Sequence, residues 1–224
     1  MAQPVSAAPE SSFARTELAL LVSGLALLVL TALAASGGDV AAWERSLFRT
    51  INDLPDFLYP PVWVVMQFGS FWAIVAVGAV ALLFHRFRLA VGLAISGVSV
   101  YLLAELAKTI VDRPRPGALL AGAHIRGAAP TGAGFPSGHA AVSCALAMIA
   151  WLWFGPRLRW TFIGAAVIVC FARVYVGAHL PLDVFGGAAL GVASGALVGL
   201  VLKVRHHGHQ HRVRFHRGPA SAAR

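Results

Sequence analysis

Acidic residues are scarce in this chain: nine Asp and Glu stand against eighteen Lys and Arg in 224 residues. They form no acidic cluster of the kind magnesium needs. Cysteine is nearly absent as well. Cys144 and Cys170 both fall inside apolar runs, give no disulfide framework, and read as small buried apolar residues. Repeats of the kind that build solenoids or inverted transporter halves are missing. The formal charge of +9 comes with no groove-reading motif and no aromatic-basic platform, so nucleic acid is not an expected partner.

What the chain has in abundance is apolar sequence, with a mean hydropathy of +0.74 and only 12% charged residues. A spanning helix needs roughly 20 mostly apolar residues. Residues 18–38 and 57–84 contain no Asp, Glu, Lys, Arg or His, and residues 89–107 are interrupted only by Glu105. Residues 140–154 and 160–172 are shorter and reach spanning length only by including polar neighbours, whereas 184–202 is again clean. The expected fold is therefore all-α, a polytopic membrane protein with six transmembrane helices. After the first span, Val40, Trp43, Leu47, Ile51 and Leu54 recur every three or four residues, which predicts an amphipathic helix lying in the outer interface. Residues 1–16, rich in Ala, Ser and Pro, read as a disordered N-terminus, 17–203 as the membrane domain, and 204–224 as a basic, histidine-rich tail.

The basic residues have a sidedness. They gather at residues 85–88, at Arg157 and Arg159, and from Lys203 onward, whereas residues 39–56 carry acids. The positive-inside rule then makes both termini cytoplasmic in a plasma (inner) membrane.

Polar residues reappear in three islands at the edges of the apolar runs: Lys108 with Arg115-Pro116, then Pro136-Ser137-Gly138-His139, then Arg173 with His179 and Asp183. Ionisable groups near a bilayer are costly and mark function. The topology puts all three on the outer, periplasmic face. Lys108, Arg115 and Arg173 can grip phosphate oxygens, the arginines through paired hydrogen bonds. Ser137 is a suitable N-cap and Gly138 lets backbone approach an anion at a helix N-terminus. Asp183, four residues beyond His179, can accept one ring proton and leave the other nitrogen nucleophilic. His139 is then available as the acid for the leaving oxygen. The surrounding cations would repel a metal ion, so neither metal nor cofactor is expected. Glu105, one turn from Lys108, reads either as its orienting partner or as a helix–helix contact, and Arg113 and Arg126 either as charges that attract a head group or as solvated loop charges.

These motifs resemble the type 2 phosphatidic acid phosphatase (PAP2) superfamily of membrane lipid phosphatases, whose pattern is K-x6-RP, PSGH and SR-x5-H-x3-D. Each charged position is matched at its spacing across residues 108–183, and Ala172 stands where the family has Ser. The resemblance implies a six-helix core, an outward-facing site, a phosphohistidine on His179 assisted by Asp183, and His139 as acid. It implies a lipid phosphate or diphosphate substrate, with polyprenyl diphosphate favoured over phosphatidylglycerol phosphate or phosphatidic acid. A phosphotransferase of the same fold, or a lipid-binding protein without chemistry, are the rival readings.

Overall fold

The computed structural model describes residues 10–202. Most of the N-terminal segment read as disordered, and all of the histidine-rich tail, lie outside the described residues. Residues 10–16, expected to precede the fold, instead form the opening turns of its first helix.

The described residues are all helix and connection. The helices are α1 (Glu10–Ala35), α2 (Ala42–Asn52), α3 (Tyr59–Met66), α4 (Phe71–Leu83), α5 (Phe87–Val111), α6 (Pro116–Leu119), α7 (Gly138–Trp153), α8 (Pro156–Tyr175) and α9 (Pro181–Leu202). This is an all-α, polytopic membrane protein. Among the described residues, four helices, α1, α5, α8 and α9, are long and apolar enough to cross a bilayer, and a bent α3/α4 pair would be a fifth. The six spans expected from sequence are thus not all present as single long helices among the described residues.

Two departures account for the difference. The second apolar run is broken by a 62° bend, where a 3-10 turn at Gln67–Gly69 separates α3 from α4. Gly69 allows that turn to press on α7: a Cβ there would lie 2.6 Å from the His139 carbonyl oxygen. The fourth run forms a helix of only 16 residues, because Pro136 and Ser137 start it late and Phe154 returns to extended backbone.

Helix α9 is the axis of the bundle. Two thirds (67%) of its most apolar window is buried, and it packs on both α1 and α7. Lipid gives little hydrophobic drive for helices to associate, so close approach through small residues must hold them together. Gly187 and Gly191 provide it. Any Cβ on them would collide with the carbonyl oxygens of Ser137 and Ala141 on the α7 side.

Helix α2 forms where the amphipathic pattern placed it, but its inward face is not its most apolar one. Glu44, Phe48 and Asn52 are buried, whereas Trp43 and Leu47 are exposed. Its contacts are with α8 and α9, at the end where the polar islands meet.

Candidate active site

The islands occupy the C-terminal ends of α5 and α8 and the N-terminal ends of α7 and α9, so helix direction alone brings them to one end of the bundle. Local sequence then aims each side chain. Helix α5 ends at Asp112, which takes the left-handed conformation (φ 41°) while its N–H bonds to the Lys108 carbonyl. Pro114 and Pro116 cannot continue the ladder. The chain therefore turns, and Arg115 caps the short α6 from an extended conformation.

Ser137 is the N-cap of α7, and its N–H donates to the Asp183 carbonyl at 2.8 Å, tying α7 to the first turn of α9. That turn is closed by Asp183 itself, whose Oδ2 accepts the Leu180 N–H at 2.9 Å. A side chain reaching back to the N–H at a helix start satisfies a donor the helix cannot. Between α8 and α9, Gly177 has φ +72°, and a Cβ there would strike the His124 carbonyl. The N–H groups of Ala178 and His179 both converge on the Arg173 carbonyl at 3.2 Å.

His179 is 3% exposed. Its Nδ1 lies 2.8 Å from the Gly134 carbonyl oxygen, which can only accept, so Nδ1 carries the proton. Its Nε2 lies 3.4 Å from Arg115 Nη1, which can only donate, so Nε2 holds the lone pair. Both contacts require the same neutral tautomer. Asp183 was expected to accept the ring proton, but its Oδ2 stands 3.7 Å from Nδ1. The carboxylate is occupied instead by Leu180 N–H and, through Oδ1 at 3.0 Å, by Arg113. Burial, reinforced by Arg173 and Arg115, outweighs the pull of Asp183 and lowers the His179 pKa from 6.5 to about 4.

Around this ring the remaining island residues converge. His139 feels the charges of Arg173, His179 and Lys108. Arg115 also donates to the carbonyls of Thr131, Gly132 and Ala178. Arg173 Nη1 rests on the Met66 sulfur at 3.2 Å, but its Nε is buried without a partner, and so is the Ser137 hydroxyl. Unpaired buried donors are costly and call for an acceptor. Lys108 meets Glu105 at 2.6 Å, the contact expected from their spacing. Ala172 is fully buried in an apolar cluster with Met66 and Tyr175. A cleft of about 370 Å³ opens beside Arg115, walled by Pro114, Ile125, Pro130 and Gly177.

Two arginines read as loop charges are neither free nor solvated. Arg113 is 3% exposed and pairs with both Glu44 and Asp183. Arg126 pairs with Asp56, donates to the carbonyls of Asn52, Leu54 and Tyr175, and lies 4.3 Å over the Tyr175 ring. Asn52 completes the anchoring of the 111–135 connection, exchanging hydrogen bonds with the His124 backbone. Sequence reasoning missed Glu44, Asn52 and the Gly134 carbonyl. The i, i+4, i+8 spacing of Glu44, Phe48 and Asn52 was the available signal for the first two.

The PAP2 superfamily model matches residues 86–206, which contain every island residue. The chain belongs to the PAP2 superfamily. Among curated relatives, the undecaprenyl-diphosphatase of Sulfolobus acidocaldarius is 33% identical over 144 residues, 63% of this chain and 66% of that protein. The putative undecaprenyl-diphosphatase YbjG of Escherichia coli K12 is 42% identical over 62 residues, 26% of this chain and 29% of that one. The matches thus span just under two thirds, and under one third, of those two proteins. Two crystal structures share the fold at a TM-score of 0.66. Aquifex aeolicus LpxE is 25% identical, with 72% of this chain and 97% of that one covered. The PAP2 type phosphatidylglycerolphosphate phosphatase of Bacillus subtilis is 22% identical, with 84% and 98% covered.

Proposed function

We infer that the chain is a membrane lipid phosphatase that hydrolyses a lipid phosphate or diphosphate through a phosphohistidine on His179, with polyprenyl diphosphate as the favoured substrate. One observation carries the chemistry: the two contacts of His179 fix its Nδ1–H tautomer and leave the Nε2 lone pair beside Arg115. The names of both curated relatives, undecaprenyl-diphosphatase and putative undecaprenyl-diphosphatase, support the substrate class.

In the first step Nε2 attacks phosphorus, the N–P bond forms, and the P–O bond to the leaving group breaks. The leaving oxygen keeps the electron pair and takes a proton from His139. A phosphate dianion beside His139 favours the protonated imidazole this requires. In the second step His139 takes a proton from water, whose oxygen displaces the N–P bond and releases phosphate. Lys108, Arg115, Arg173, the Ser137 hydroxyl and the N–H groups opening α7 at Gly138 would hold the non-bridging oxygens as charge spreads over them. The buried, partnerless Arg173 Nε and Ser137 Oγ support that cradle. Lys108 is steadied by Glu105.

The membrane reading takes α3/α4 as one bent span and α7 as a short one, giving six. At 1.5 Å per residue α7 is about 24 Å long, against a hydrocarbon core of about 30 Å. Its N-terminus, and the site with it, would then sit slightly below the interface, at the depth of a lipid phosphate. The basic connections at 85–88 and 157–159 lie at the opposite end of the bundle, which supports an outward-facing site with cytoplasmic termini.

The test is phosphate release by the purified protein from a panel of prenyl and glycerolipid phosphates in the presence of a chelator. Release from prenyl diphosphate that His179→Ala abolishes is the expected result. Turnover retained in the variant, or lost to the chelator and restored by a divalent ion, would refute the mechanism.

A further inference from the structure

Beneath His179 lies a buried cluster that the mechanism above does not use. Glu44, Arg113 and Asp183 are 0%, 3% and 0% exposed. Arg113 Nη1 is 3.0 Å from Glu44 Oε1 and 3.0 Å from Asp183 Oδ1, and its Nη2 is 2.7 Å from Glu44 Oε2. Glu44 Oε1 also accepts the Leu182 N–H at 2.9 Å, so α2 is fastened to the start of α9. Burying an ion cluster brings a desolvation penalty that two charges alone often fail to repay, and a third calls for a reason.

Charge arithmetic supplies one. Arg113 and Asp183 alone sum to zero, and the other charges facing the ring are the cations Arg115 and Arg173. Adding Glu44 leaves the cluster of two carboxylates and one guanidinium with a net charge of −1. That matters when Nε2 bonds to phosphorus. Nδ1 keeps its proton on Gly134, so the imidazole becomes a buried cation, which needs a compensating charge. Asp183 Oδ2, 3.7 Å from Nδ1, is in place to provide it.

We propose that Glu44 is a positioning residue whose carboxylate cancels the charge of Arg113, so that Asp183 faces the phosphorylated His179 ring with an uncompensated negative charge. The proposal rests on His179 as nucleophile. It makes α2 part of the catalytic apparatus, although no residue of α2 touches the reacting atoms.

The experiment measures kcat and KM on a prenyl diphosphate for the wild type, Glu44→Gln, and the double variant Glu44→Gln/Arg113→Gln, with thermal unfolding of each in the same detergent. Gln at 44 keeps an acceptor for the Leu182 N–H, removes the charge, and turns its amide NH2 toward Arg113 Nη2 in place of Oε2, a donor–donor contact that the double variant also removes and that Glu44→Asp avoids. Glu44→Gln is expected to lower kcat about 10- to 100-fold and to leave KM within about twofold. The double variant returns the cluster to −1 and is expected to recover most of the lost kcat. A role confined to packing predicts the reverse, with the double variant no better than the single one. Wild-type kcat in Glu44→Gln, or a folded double variant no more active than Glu44→Gln, would overturn the proposal. If Glu44→Gln does not fold, the double variant and Glu44→Asp decide, since both keep −1. Each should stay within about tenfold of wild type, and a loss above about 100-fold in either, once folded, overturns the idea. Failure of the underlying reading shows separately, as a wild type that releases no phosphate or a His179→Ala variant that does.

Discussion

The Nδ1 proton of His179 is held by the backbone carbonyl of Gly134 at 2.8 Å. A main-chain acceptor fixes the tautomer regardless of side-chain ionisation. It also relieves Asp183 of the task that its i+4 spacing suggested.

Asp183→Asn is therefore expected to weaken catalysis without abolishing it. The ring keeps its tautomer, and only the facing charge is lost. A fall in kcat of about 10- to 100-fold is expected. A fall near 10⁴-fold, as a wrong tautomer causes, would return the role to Asp183.

The depressed pKa of His179 predicts a ring that stays neutral down to about pH 4. The imidazole shifts of histidine-labelled protein, with His179 assigned by comparison with His179→Gln, should titrate near that value. Between pH 6.5 and 4 the unfolded chain binds a proton at this site that the folded one does not, so stability falls as pH drops through this window. A midpoint near the ordinary 6.5 would contradict the burial argument.

Asn52 joins α2, the 111–135 connection and the end of α8 through its bonds to His124 and Tyr175. Asn52→Ala leaves buried backbone groups unpaired and should destabilise the fold by about 1–3 kcal/mol. Thermal unfolding in detergent reads the loss, and an unchanged midpoint would show that the connection is anchored by Arg126 alone.

The proposed outward orientation is open to labelling. With Cys144 and Cys170 replaced by Ala, a cysteine at the exposed Ala128 should react with a membrane-impermeant thiol reagent in intact cells. Labelling only after permeabilisation would place the site inside.

The residues of the proposed cradle, acid and nucleophile stand out in the sequence because Lys108, Arg115, His139, Arg173 and His179 lie at the edges of apolar runs at fixed spacing, where any charge is conspicuous. The cluster under the ring was not. Helix α2 turns Trp43 and Leu47 outward and buries Glu44, an inversion of the usual amphipathic logic. Arg113, embedded in Arg-Pro-Arg-Pro, looked like a loop charge because nothing local reveals a partner 69 residues away. The bend at Gln67–Gly69 was also hidden. No proline or charge marks it, and it depends on the contact of Gly69 with His139, which only the tertiary fold creates.

The central claim is the covalent intermediate. The direct measurement is a rapid alkaline quench of the enzyme turning over a phosphorus-labelled prenyl diphosphate, followed by peptide mapping. The account predicts acid-labile, alkali-stable label on the peptide containing His179, absent from His179→Ala. Label on His139, or sustained turnover with no labelled peptide, would contradict it.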